Sequence, residues 1–142
     1  MKTALLILFL LLPARANAQF SNILKHPIEA KVIRVIDGDT IVVNAQIWLK
    51  QTVETSVRLR DIDAPELRGG CKEEKELAIK AKEFVEEATG ELVTLKNVGF
   101  GKFAGRVLAD VILSNGKDLA ELLLENNLAR LYQGDKRQSW CN

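Results

Sequence analysis

Three clusters of charged residues carry the chemical potential of this chain. Asp37-Gly38-Asp39-Thr40 places two carboxylates around a turn between apolar runs. Arg58-Leu59-Arg60-Asp61-Ile62-Asp63-Ala64-Pro65-Glu66 sets two arginines and two acids along a strand, then drops through a proline turn to a third acid. Gly105-Arg106 brings an arginine into a strand after a glycine-rich loop that holds Gly99 and Gly101. Taken singly, these read as a punctuating turn, a solvated strand face and a surface cation.

Taken together they suggest one reaction. Carboxylate oxygens suit a hard cation such as calcium or magnesium. The one histidine, His26, precedes Pro27 in the lead-in to the first strand and reads as a solvated linker residue, so zinc is disfavoured. Two arginines can grip a phosphate bidentately. One carboxylate then remains to act on water. A metal, two arginines and a carboxylate base are the parts needed for in-line attack on a phosphodiester.

The elements that must position these groups are short. Ile28–Ile36 is rich in β-branched residues, and the pattern resumes over Thr40–Leu49 after the Asp-Gly turn. Val53–Ile62 alternates, with Val57, Leu59 and Asp61 on one face and Arg58, Arg60 and Ile62 on the other. Residues 72–89 predict a helix with Leu77, Ala81, Phe84 and Ala88 as its apolar stripe and Gly90 as its terminator; Ile79 falls off that stripe. Glu91–Lys96 and Arg106–Leu113 predict two more strands. Asp118 is placed to cap a second helix running to Asn127, with Leu119, Leu122, Leu123 and Leu128 buried. Three strands, a helix, two strands and a helix is the order of an α+β, five-stranded OB-type barrel.

The first residues belong to a different class. Lys2, the apolar run Ala4–Leu12, Pro13 and the small-x-small triplet Ala16-Asn17-Ala18 predict a signal peptide over residues 1–18. The run is shorter than the ~20 residues of a spanning helix. The expectation is an exported domain over 19–142, periplasmic or secreted, monomeric and without stable membrane association. Losing Lys2 and Arg15 leaves 18 basic residues of the original 20 against 19 acidic ones, a formal net charge of −1. A nucleic-acid partner then requires a local basic surface, since bulk charge supplies none. In an oxidising compartment the two cysteines, Cys71 and Cys141, favour a disulfide. Closing so long a loop stabilises the fold by about 4 kcal/mol on chain-entropy arithmetic.

The motifs IDGDT, VRLRDIDAPE and GR, in this order, resemble the signature of the staphylococcal nuclease family, and the element order matches over residues 28–132. The tail LARLYQGDKRQSWC resembles secreted bacterial members that end in a Trp-Cys pair. The resemblance implies a calcium-dependent nuclease acting on DNA and RNA and leaving 3′-phosphate ends. It implies Asp39 and Asp63 as calcium ligands, joined by the main-chain carbonyl of Ala64. It implies Glu66 as general base, and Arg58 and Arg106 as phosphate ligands that stabilise the transition state. Asp37 and Thr40 would shape the turn, and Tyr132 would contact substrate.

The chain departs from the family where Ala104 replaces a nucleotide-contacting tyrosine, with Phe103 beside it, and where Ala64 replaces a threonine. Tyr132 is its one tyrosine, and the family's longer C-terminal helix is missing, so a disulfide would clamp the tail instead. The alternative is an OB-fold module that binds single strands without cutting them. Retention of Asp39, Asp63, Glu66, Arg58 and Arg106 together argues for the enzyme.

Overall fold

The computed structural model describes residues 21–142; the expected leader lies outside them. A short strand β1 (Ile23–Leu24) precedes β2 (Ile28–Asp37), β3 (Thr40–Trp48), β4 (Gln51–Leu59) and a short β5 (Ile62–Asp63). Helix α1 (Lys72–Thr89) follows, then β6 (Leu92–Phe100), β7 (Arg106–Leu113), α2 (Leu119–Glu125) and a short β8 (Arg130–Leu131). Strands β6, β2, β3, β4 and β7 hydrogen-bond in that order, and β7 pairs back onto β6, which closes a five-stranded barrel. Every neighbour is antiparallel except β4 and β7, which run parallel. This is the expected OB-type α+β fold.

Apolar residues at alternate positions fill the interior. Ile41, Val43, Val57, Leu59, Leu95 and Val111 come from the barrel wall, while Val85, Leu119 and Leu123 seal it from the two helices. Full burial of a side chain of this size contributes roughly 1.5–3 kcal/mol. Among the described residues no helix is long and apolar enough to cross a membrane.

Register decides where the functional arginines stand. The parallel pairing sets Ser56 opposite Arg106 and Arg58 opposite Leu108. Residues two apart on a strand share a face, so Arg58 and Arg106 project from one side of adjacent strands. Arg60 shares that face but is otherwise engaged. It donates to the carbonyls of Asn97 (2.5 Å) and Leu108 (3.3 Å) and pairs with Asp110 at 3.3 Å.

Two local expectations need correction. The run Val53–Ile62 is not one strand: β4 ends at Leu59, and Asp61 takes φ 59°. That left-handed turn breaks the alternation, so Ile62 is buried rather than outward with the arginines. The buried line of α1 is Ala78, Ala81 and Val85, with Phe84 and Ala88 at its margin, and Leu77 is only half-buried. Close approach explains the choice of small residues. A Cβ on Gly38 would lie 2.7 Å from the Ala81 Cβ and 2.9 Å from that of Ala64. The helix thus rests directly on the turn that carries Asp39. Ile79 is exposed, as the pattern required.

Candidate active site

The first acid is fixed by the turn that bears it. The Asp37 carboxylate accepts from the Asp39 amide (3.1 Å), an Asx-type contact that shapes the bend. The Asp39 side chain, 2% exposed, accepts from the Thr40 hydroxyl (2.9 Å) and the Ala64 amide (2.9 Å). Its main-chain carbonyl accepts from the Leu59 amide at 2.8 Å, which ties the turn to the end of β4. Arg58 completes the arrangement by pairing with Asp39 and, at 3.4 Å, with Asp63.

Asp63, 4% exposed, is carried by the short pairing of β5 with β8. Ala64 and Pro65 beside it are buried. The chain then turns at Glu66, where the Gly69 amide donates to the Glu66 carbonyl (2.8 Å). Glu74, from the first turn of α1, is 8% exposed and accepts from the amides of Glu66 (3.2 Å) and Gly70 (3.0 Å). A carboxylate at a helix N-terminus is favourably placed in the helix field. Here it also sets the backbone from which the Glu66 side chain reaches solvent.

Arg106 differs from Arg58 in having no carboxylate partner among the described residues. Its guanidinium lies over the Phe103 ring at 4.9 Å, and its Nε is buried without an acceptor. Such a group is oriented yet unsatisfied, a state suited to receiving an oxyanion. Arg58, Asp63, Glu66, Arg106 and Tyr132 all line one cleft of about 620 Å³, and Asp39 lies behind it, reached through Arg58. Arg60, Lys102 and Arg137 also border this cleft, so its wall is locally basic although the chain is nearly neutral.

The disulfide joins Cys71 to Cys141 across 70 residues of sequence. It draws the tail over the β5 end of the barrel, and two tail residues absent from the expected site enter it there. Trp140 donates its indole N–H to Asp63 (3.3 Å) and stacks under Arg130 at 3.8 Å. Arg137 spreads its guanidinium over Asp63 (2.7 Å), Glu66 (2.9 Å) and the Ala64 carbonyl (3.1 Å). Burial lowers the Arg137 pKa, but its hydrogen bond to Asp63 and the charges of Asp63, Glu66 and Asp39 outweigh this and hold it above the ordinary value. The signal for these residues lay in the cysteines. Cys71 is five positions after Glu66, so a bridge from it must carry the Cys141 tail to the same loop.

The donor set fits a hard cation. Asp39, Asp63 and the Ala64 carbonyl offer oxygen atoms alone. Burial pushes the Asp39 carboxyl up to about 6 despite the opposing pull of Arg58, so its charged form is under-compensated. The Arg137 guanidinium already stands in for a cation against Asp63 and Ala64. By contrast, Cys71, Glu74 and Cys141 also converge, but both sulfurs are spent in the disulfide.

A model of the staphylococcal nuclease homologues matches residues 56–140, which hold Arg58, Asp63, Glu66, Arg106 and the whole tail segment but not Asp39. Comparison with curated proteins finds none that matches the chain. The matched stretch spans more than half of the sequence and carries both arginines, the proline-turn acid and the barrel strands that hold them, and on this the chain belongs to the staphylococcal nuclease homologue family of nucleic-acid hydrolases.

Proposed function

We propose that this protein is a calcium-dependent nuclease that hydrolyses DNA and RNA and leaves 3′-phosphate ends, working as an exported monomer. The observation that carries the reading is the convergence on one cleft of the buried Asp63, a solvent-reaching Glu66 and two arginines held on one barrel face, with the buried Asp39 directly behind Arg58. A mere binding surface has little use for buried carboxylates whose ionisation is costly.

In this reading Asp39, Asp63 and the Ala64 carbonyl hold the calcium. When bound, the ion supplies Lewis-acid polarisation of the scissile phosphate. Arg58, anchored between Asp39 and Asp63, presents its remaining N–H groups to a phosphate oxygen. Arg106, stacked on Phe103, meets the negative charge that grows as phosphorus becomes five-coordinate. Glu66 takes a proton from the attacking water, and the new P–O bond forms in line. The 5′ oxygen departs with the electron pair of the broken bond and is protonated by water to the 5′ hydroxyl. Tyr132, at the cleft edge, contacts the substrate strand.

Incubating the mature protein with plasmid and with RNA, in calcium or in excess chelator, tests this directly. Cleavage is expected with calcium, and neither chelator nor zinc should support it. Products should resist primer extension until a phosphatase removes the 3′-phosphate. Full activity in excess chelator overturns the metal assignment.

A further inference from the structure

Among the described residues, Arg137 is the one cation that touches three of the groups assigned above. Its Nε, Nη1 and Nη2 each meet a different one: Asp63, Glu66 and the Ala64 carbonyl. Arg58 also binds Asp63, but from the barrel wall, and it contacts neither Glu66 nor Ala64. Arg130 and Lys102 lie nearby, yet Arg130 stacks on Trp140 and donates to the Ser139 carbonyl (2.8 Å), and Lys102 rests near the Phe103 ring. Arg137 therefore occupies ground that a divalent ion would need.

The tail is built to keep it there. Cys141 is covalently tied to Cys71 beside the Glu66 loop. Trp140 hydrogen-bonds Asp63 through its ring edge, and Arg130 stacks on its ring. Ser139 closes a local turn with Cys141, donating to its carbonyl (3.0 Å) and accepting from its amide (3.1 Å). Only three residues separate Arg137 from the bridge, so its reach is short and its effective concentration at Asp63 high.

We propose that Arg137 is a further residue of the site, an internal cation that holds the metal position in the resting protein and turns to the substrate phosphate when a divalent ion displaces it. The inference rests on the assignment of Asp63 and the Ala64 carbonyl as metal ligands. Its consequence is thermodynamic coupling. Calcium alone must break three contacts of Arg137, whereas calcium arriving with a phosphodiester returns a phosphate oxygen to the freed guanidinium. Each ligand then strengthens the other by the same factor. Arg137 thereby favours the metal that comes with substrate over metal alone.

Calorimetric titration of calcium into metal-free protein, with no substrate, reads this without an activity assay. Arg137→Gln should bind calcium about tenfold more tightly than wild type, toward the lower end of the usual coupling range. The double variant Cys71→Ser/Cys141→Ser keeps Arg137 but unpins it, and should shift affinity the same way. Lys102→Gln removes a nearby charge that contacts none of the ligands and should shift affinity far less. Adding a phosphorothioate-linked oligothymidylate should tighten calcium binding more in wild type than in Arg137→Gln. Cooperative thermal unfolding of each variant shows that it has folded. Equal calcium affinity in wild type and Arg137→Gln, with loss in Asp63→Asn, overturns the role of Arg137 and leaves the metal site standing. A larger shift from Lys102→Gln than from Arg137→Gln overturns it as well. Calcium binding that survives Asp63→Asn in the Arg137→Gln background removes the metal assignment, and the inference with it.

Discussion

Two regions face each other across the cleft, and they are held by different physics. The barrel side, with Asp39, Arg58 and Arg106, is positioned by strand register, by main-chain amides of Leu59 and Ala64 that donate to Asp39, and by the neighbouring Thr40 hydroxyl. The tail side, with Arg137 and Trp140, has no regular structure and depends on one disulfide, one stacked arginine and a few side-chain contacts. A repeating backbone fixes the first without any particular side chain at most positions. A handful of named groups fixes the second, and each can be removed. Catalytic groups that must not move sit on the barrel, and the group that must change partners sits on the tether.

The largest expected effect tests the loop between them. Glu66→Gln should cut turnover by about 10²–10⁴-fold with smaller change in substrate binding, because Gln keeps the shape and loses the base. Single-turnover kinetics beside a binding isotherm separate the two, and wild-type turnover in that variant removes Glu66 from the mechanism. Unpinning the tail should do something different. Cys71→Ser/Cys141→Ser should lose about 4 kcal/mol of unfolding free energy, read by denaturant titration, while chemical shifts of Thr40 and Leu59 in the barrel stay close to wild type. Large shifts there would mean that the two regions are not independent.

On the barrel side, Arg106→Ala should depress turnover by about 10²–10³-fold, as loss of an oxyanion donor does, and Arg106→Lys should restore part of it. Because Arg106 pairs with no carboxylate among the described residues, its loss should leave thermal stability little changed. The smallest effect concerns pH. The folded Asp39 carboxyl titrates near 6, against an ordinary value of 3.8, since burial disfavours its charge. Between those values the folded state holds more protons than the unfolded one, so metal-free stability from this group falls as pH rises from about 4 to about 6. Asp39→Asn should lack that limb, and an unchanged profile in the variant would place the titration elsewhere.

Much of the barrel side was legible in the sequence. β-branched alternation marked β2, β3 and β7, Asp118 marked the start of α2 and does accept from the Ala120 and Glu121 amides, and the charged motifs marked the turns that meet at the cleft. What failed to show did so for local reasons. The left-handed Asp61 inverts facing within the very motif that carries the chemistry. Ala78 and Ala81 hide the buried line of α1, since periodicity counts large residues and Ala81 is small where it packs on Gly38. Strands β1 and β8 are each two residues long, too short to have a period. Glu74 and Arg137 look like ordinary surface charges in sequence. One becomes a buried brace for the Glu66 backbone and the other a guest in its carboxylate.

The bridge also shapes how the molecule can be assembled in a test tube. Cys71 and Cys141 are the two cysteines of the chain, so one intramolecular pairing exists and no scrambled isomer can compete with it. Strands β6 and β7, which complete the barrel, lie between them. Oxidative refolding from the reduced, denatured chain therefore needs an oxidant but no isomerase to sort partners. Both sulfurs are present from the start, so a bridge formed early or late is the same bridge, and it fastens the cation-bearing tail.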